Sequence, residues 1–227
     1  MSIVTENHPP ENAERIHAAA WASRAPELAR WAMGLANRLD RHGHYFPMCR
    51  RTPDNNAITA GMLTIPILER HFIGRDPGDI VGLHSTSPDG TCRWVVWDID
   101  QHDDFNPQLA ERNEQAATEL YYRLERKGFR PILENSNGRG GYHCWLIFSR
   151  PADVAAVYSF AQAMIEGLGD IETFPKQPQL TGKGFGNWMR LPGRHHSYNH
   201  WSKIYHRQGG WMDGTESINE LLGVSHE

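Results

Sequence analysis

Cysteine is scarce in this chain of 227 residues: Cys49, Cys92 and Cys144 stand far apart, and none belongs to a Cys-x-x-Cys pair. That spacing argues against both a disulfide framework and a standard zinc site. His42, His44 and Cys49 lack a fourth ligand and make an incomplete zinc pattern. Long hydrophobic runs are missing as well. No apolar stretch approaches the ~20 residues of a membrane span, and the opening Met-Ser-Ile-Val-Thr-Glu-Asn-His-Pro-Pro is not a basic-then-apolar leader. The expectation is a cytoplasmic protein with no membrane partner. A third absence is local. From Thr173 to Met212 there is no Asp or Glu, although the whole chain carries a net charge of −4.

What fills that acid-free stretch is informative. Lys176, Lys183, Arg190, Arg194, Lys203 and Arg207 fall there, interleaved with histidines and with Phe174, Phe185, Trp188, Tyr198, Trp201, Tyr205 and Trp211. Basic groups mixed with aromatics are the footprint of a phosphate- or single-strand-binding surface. Lys183, Arg194, Lys203 and Arg207 are its candidate nucleic-acid contacts. With 39% apolar and 22% charged residues, the rest has the make-up of an ordinary globular protein.

The organising stretch is Trp94 to Asp104, an apolar strand ending in acid. Strand side chains alternate, so Asp98 and Asp100 share a face where the strand ends. Two such carboxylates suit a hard cation, Mg²⁺ or Mn²⁺. Asp103 and Asp104 lie past the strand and begin a turn.

Residues 11–42 read as two helices broken at Pro26 and closed by Gly43, and 1–53 as an N-terminal helical arm. A short helix follows from Leu63 to Phe72, then a strand from Ile80 to His84. The turn Ser87-Pro88-Asp89-Gly90 predicts that this strand hairpins into the one carrying Asp98. Asn106-Pro107 caps a helix that ends at Gly128. Arg130 to Glu134 is a strand, Asn135 to Gly141 a glycine-rich loop, and Tyr142 to Phe148 a strand. Pro151 opens a helix, and Asp170 to Phe174 is the last strand. The order is ferredoxin-like, βαββαβ, with sheet order fourth, first, third, second. The fold class is therefore α+β, built on an RRM-like sheet. The domain that holds this sheet runs over 54–227, with a core at about 92–176 and a basic C-terminal strand and loop region at 177–212.

That sheet order brings three segments to one place. The end of the Asp98 strand meets the start of the Tyr142 strand, with His143, and the start of the last strand, with Glu172; Asp170 shares the face of Glu172 if that strand is regular. Backbone N–H groups of Ser136 to Gly141 can approach an anion closely, because Gly140 and Gly141 have no Cβ, and Arg139 adds charge. With Lys176 and Arg190 nearby, the loop reads as a triphosphate cradle, and two metal ions on Asp98, Asp100 and Glu172 would serve nucleotidyl transfer.

Asp-Ile-Asp at 98–100, Ser-Asn-Gly-Arg-Gly-Gly-Tyr-His-Cys-Trp at 136–145, Glu-Thr-Phe-Pro-Lys-Gln at 172–177 and Gly-Asn-Trp-Met-Arg-Leu-Pro-Gly at 186–193 follow one another. Together they resemble the motifs of the archaeo-eukaryotic primase superfamily, most of all the primase-polymerases of mobile elements and of conflict or CRISPR-associated systems. The resemblance covers roughly residues 60–210 and implies that the 54–227 domain is catalytic, its RRM-like sheet joined to a smaller N-terminal α/β lobe. It implies metal ligation by Asp98, Asp100 and Glu172, and nucleotide phosphate contacts from Ser136, Arg139, His143, Lys176 and Arg190. It also implies a dNTP or NTP substrate, single-stranded DNA template and primer, and a separately encoded helicase or other replication or defence module. His71, in His-Phe-Ile-Gly-Arg, resembles a family position without an assigned role. No zinc-binding insertion accompanies the motifs, and the first is Asp-x-Asp where some relatives have Asp-x-Glu.

Two other readings use the same residues. A rolling-circle-type nicking protein would need paired histidines beside a nucleophilic tyrosine, for which His195, His196 and Tyr198 are available. A non-catalytic RRM-like module would need stacking aromatics where this chain has carboxylates and histidine.

Overall fold

The computed structural model describes residues 10–45, 58–100, 105–181 and 184–223. Cys49, Asp103, Asp104 and Lys183 lie outside them. Chain order gives α1 (Pro10–Ser23), α2 (Ala25–Leu35), β1 (His42–His44), β2 (Ile58–Ala60), α3 (Ile65–Ile73), β3 (Val81–His84) and β4 (Thr91–Ile99). Then come α4 (Pro107–Arg126), β5 (Ile132–Asn135), β6 (Tyr142–Asp153), α5 (Val154–Met164) and β7 (Glu172–Phe174). The chain continues through β8 (Trp188–Arg190), β9 (Lys203–Tyr205), β10 (Trp211–Met212) and α6 (Gly214–Gly223). No helix among these residues is long and apolar enough to cross a membrane.

The strands form two antiparallel sheets, a six-stranded one ordered β10-β9-β5-β6-β4-β7 and a four-stranded one ordered β2-β1-β3-β8. Within the larger sheet, β7-β4-β6-β5 is the fourth-first-third-second order expected of βαββαβ with right-handed crossovers. The fold is α+β.

Two apolar layers sandwich the larger sheet, and alternation along β4 divides its side chains between them. Val95, Trp97 and Ile99 face α4 and α5, whereas Trp94 and Val96 face the layer built from α1, α2, α3 and the smaller sheet. The two buried indoles are pinned in opposite directions. Trp94 Nε1 donates to the Leu35 carbonyl and Trp97 Nε1 to that of Ala161, each at 3.0 Å. Asp98 has the parity of Trp94 and Val96, so it points to the side where the two sheets approach.

Three details differ from expectation. The turn at 87–90 does form, with Ser87 N donating to the Thr91 carbonyl at 2.9 Å, but β3 and β4 do not pair. All four residues of β3 are buried, and the strand finds partners on both edges, in β1 and β8. Turn chemistry reverses a chain without choosing the sheet each arm joins. Second, α2 stops at Leu35, and Gly43 lies in strand β1 rather than closing a helix; a Cβ there would fall 2.0 Å from the Trp188 ring. Third, Pro151 belongs to β6, and α5 starts three residues later, where Asp153 Oδ1 accepts from Ala156 N as an N-cap. The side-chain cap outcompetes the proline as the start signal.

His71 fastens the layers together. Val81 N donates to its Nδ1 at 3.1 Å, and its Nε2 donates to the Pro192 carbonyl at 3.0 Å. Burial pushes its pKa down to about 4, so the ring is neutral and this tautomer suits both bonds.

Candidate active site

Antiparallel pairing lines up one residue from each of four strands. Glu134 of β5 is opposite His143 of β6, His143 is opposite Asp98 of β4, and Asp98 is opposite Glu172 of β7. Directly paired residues project to the same face. The result is a row of acid, imidazole, acid and acid across the sheet, with Asp100 two residues beyond Asp98.

Exposure rises along the row. The Glu134 side chain is fully buried, Asp98 is 17% exposed and Glu172 is 48% exposed. Burial raises the Asp98 pKa above the usual carboxylate range; His143 opposes this, while the charges of Asp100 and Glu172 add to it. Asp98 is thus close enough to feel both Asp100 and Glu172, and the donors of all three are oxygens, the set a hard cation prefers. Glu172 meets Lys176, with Nζ 2.6 Å from Oε2. Among the described residues no three His, Cys, Asp or Glu side chains already stand in ion-holding geometry.

Glu134, which the sequence reading left as an ordinary strand residue, is the hub. His143 Nδ1 lies 2.9 Å from its Oε2 and Trp145 Nε1 donates to the same oxygen at 3.1 Å; Ser202 Oγ donates to Oε1 at 2.5 Å and Arg190 Nη2 approaches it at 3.5 Å. Burial would raise its pKa, but His143, Arg190 and Ser202 outweigh burial and hold it at about 2. Through its contact with Glu134, His143 is held with Nε2 toward Asp98, 3.6 Å from Oδ1.

Arg190 sits on β8 in the smaller sheet, buried, and reaches across to the larger one. Its Nη2 donates to the Ser136 carbonyl at 2.9 Å and its Nη1 to the Leu191 carbonyl at 3.1 Å. The guanidinium is enclosed by protein acceptors, although its charge is felt by Asp98, His195, His196 and Tyr45.

The glycine-rich loop is closed on itself. Ser136 N donates to the Gly141 carbonyl, Gly138 N to Asn135 Oδ1, and Arg139 N and Gly141 N both to Asn137 Oδ1, at 2.7 to 2.9 Å. These amides are satisfied within the loop and do not form the open anion cradle expected. The glycines answer to packing instead. Gly140 has φ of +87° and a Cβ there would lie 2.6 Å from Ala110 of α4, while one on Gly138 would meet the His200 ring at 2.7 Å. Asn137 also joins loop to acid, donating from Nδ2 to Asp100 Oδ1 at 3.2 Å.

The remaining cations scatter. The Arg139 guanidinium lies 4.9 Å from the Tyr198 ring centre and 5.5 Å from that of Phe105. Arg194 donates to the Gly74 and Arg75 carbonyls, Lys203 pairs with Asp213 at 3.5 Å, and Arg207 pairs with Glu125 at 3.2 Å. His195 turns its Nδ1 back to accept from Ser197 N and Tyr198 N. His196 stacks on Tyr45 with centroids 3.8 Å apart. His195 also meets Tyr198 face to face, with ring centroids 4.6 Å apart.

Comparison with known proteins adds a family. Residues 16–207 match the family model described as the archaeo-eukaryotic primase domain of the TOTE conflict system. No curated protein matches. Among solved structures, the chain is similar to the polymerase domain from Mycobacterium tuberculosis Ligase D in complex with DNA. Sequence identity is 12%, 74% of this chain and 68% of that one are covered, and the TM-score is 0.43.

Proposed function

The chain belongs to the archaeo-eukaryotic primase domain family of TOTE conflict systems, and from that premise we propose that it is a metal-dependent, template-directed nucleotidyltransferase. It adds a dNTP or NTP to a primer or initiating nucleotide on single-stranded DNA and releases pyrophosphate. The observation that carries this reading is the row of His143, Asp98 and Glu172 in register, with Asp100 two residues beyond Asp98 along the chain.

Asp98, Asp100 and Glu172 are the groups that would hold Mg²⁺ or Mn²⁺. Bound there, the ions supply Lewis-acid activation of the attacking hydroxyl and neutralise charge on the leaving pyrophosphate. In the reaction a primer 3′-oxygen bonds to the α-phosphorus, the bond from that phosphorus to the β-phosphate oxygen breaks, pyrophosphate leaves, and the hydroxyl proton passes to solvent water. Burial and the charges of Asp100 and Glu172 make Asp98 costly to keep ionised, and a divalent cation would relieve that cost.

The protein's own groups position the nucleotide. His143, fixed at Nδ1 by Glu134, offers Nε2 on the acid face, where it reaches a phosphate oxygen. Lys176 moves from Glu172 to the triphosphate once Glu172 is engaged, exchanging one anionic partner for another. Arg190 acts through its charge, because its donors are taken by Ser136, Leu191 and Glu134. Ser136, Gly140 and Gly141 keep the loop closed behind His143. A helicase or other module encoded separately would open the template.

Incubation of the purified chain with Mn²⁺, primed template and dNTPs is expected to extend the primer, and Asp98→Ala or Asp100→Ala to abolish extension. Wild-type protein that extends nothing, or variants as active as wild type, would overturn this reading.

A further inference from the structure

Five large apolar side chains stand well exposed among the described residues, and two of them, Phe105 at 49% and Tyr198 at 40%, flank the same arginine. Sequence alone assigns Arg139 to the triphosphate, counts Tyr198 among the aromatics of the acid-free stretch and as a candidate nucleophile, and assigns Phe105 no role. The planes continue inward. Tyr198 stacks on His195 at 4.6 Å and 19°, and His195 lies 4.4 Å from His196, which stacks on Tyr45. A column of flat groups thus runs from the buried side of the site to solvent and ends at Phe105.

We infer that the outer end of this column, formed by Phe105, Arg139 and Tyr198, is a stacking platform for an unpaired base of single-stranded DNA. Three observations select nucleic acid as the occupant. Rings alternating with a guanidinium match the flat, sequence-tolerant contact that bases make with proteins, and the guanidinium also attracts the adjoining phosphate. Tyr198 and its neighbours belong to the stretch from Thr173 to Met212 that contains no acid, so a polyanion meets no Asp or Glu from that segment. The platform is also coupled to the acids. Asn137 accepts from Arg139 N at 2.7 Å and donates to Asp100 at 3.2 Å, so one side chain sets the spacing between base and carboxylate. A base stacked on Phe105 would hold its strand in fixed register with the row.

The inference rests on the nucleotidyl-transfer reading for its purpose, and its test needs no catalysis. A single-stranded oligonucleotide containing 2-aminopurine is titrated with the full chain in EDTA. Fluorescence reports stacking, and anisotropy of an end label reports binding. Wild-type protein is expected to quench 2-aminopurine. Phe105→Ala and Tyr198→Ala should abolish the quench and weaken binding roughly tenfold, and Phe105→Trp and Tyr198→Phe should retain both. Asp98→Ala should quench like wild type. Quenching and affinity unchanged in both alanine variants, or no quench with wild type, would overturn the platform, even if primer extension were normal. Intact quenching with no extension would sink the catalytic reading and leave the platform standing.

Discussion

Glu134 has no solvent exposure and is nonetheless held as a carboxylate, with a pKa of about 2. Removing one partner from a buried charge set leaves the others uncompensated, which costs about 3–5 kcal/mol. Glu134→Gln is therefore expected to lower unfolding free energy in urea by that amount and to reduce primer extension through a loosened His143. Its pH signature has a definite sign. A carboxyl whose folded pKa lies below its usual 4.5 stabilises fully above 4.5, and that stability is lost as pH falls toward about 2. The variant should lack that part of the acid dependence in a urea series between pH 5 and 2. The sequence showed Asp98, Asp100, His143 and Glu172 because strand parity and topology together place them. It hid Glu134, which looks like a charge at a strand end. Only its register opposite His143 in the folded sheet reveals its role.

At the level of elements, the loop between β5 and β6 turns for the sake of its neighbours. Gly140→Ala would place a methyl against Ala110 in a left-handed backbone conformation and strain the Asn113 Nδ2 bond to the Gly140 carbonyl, 2.8 Å long. Gly128 has φ of +90° and open space around it, so Gly128→Ala bears only the backbone penalty, about 1 kcal/mol. Gly140→Ala is expected to cost more than twice that in urea unfolding and to depress extension, while Gly128→Ala leaves extension intact. Equal losses for the two would show that the loop does not depend on α4. The glycine-rich text was legible as a turn, but its purpose was not, since Ala110 is distant in sequence. The same limit explains β3: the Ser87-Pro88-Asp89-Gly90 turn was readable, and the partners waiting in β1 and β8 were not.

For the whole molecule, Arg190 and His71 join what the two sheets build, and histidines set its response to acid. Burial lowers the pKa of His71, His84 and His196 from 6.5 to about 4 in each case. Each folded value is depressed, so the stabilisation is complete above pH 6.5 and is lost as pH falls toward 4. For fully buried His71 the span is worth about 3 kcal/mol. Melting temperature should therefore fall steeply between pH 6.5 and 4, and His71→Gln should flatten that slope while lowering stability at pH 7. An unchanged slope would place the acid sensitivity elsewhere. The order of the larger sheet was legible because chirality leaves few choices. The smaller sheet was not, because its strands are short and lack alternation.

Glu134 draws the groups that hold its charge from three distances along the chain. His143 follows it by 9 residues, Arg190 by 56 and Ser202 by 68. A ribosome adds ~5–20 residues each second, so on the nascent chain Glu134 waits roughly 3 to 14 s for the last two. Until then the carboxylate has no full set of counter-groups, and drawing it into an apolar interior is unfavourable. The row of acids thus stays unassembled while the chain is being made. Synthesis through Ser202 is the event that closes it, which ties the first chance of chemistry to the arrival of β8 and the residues that follow it.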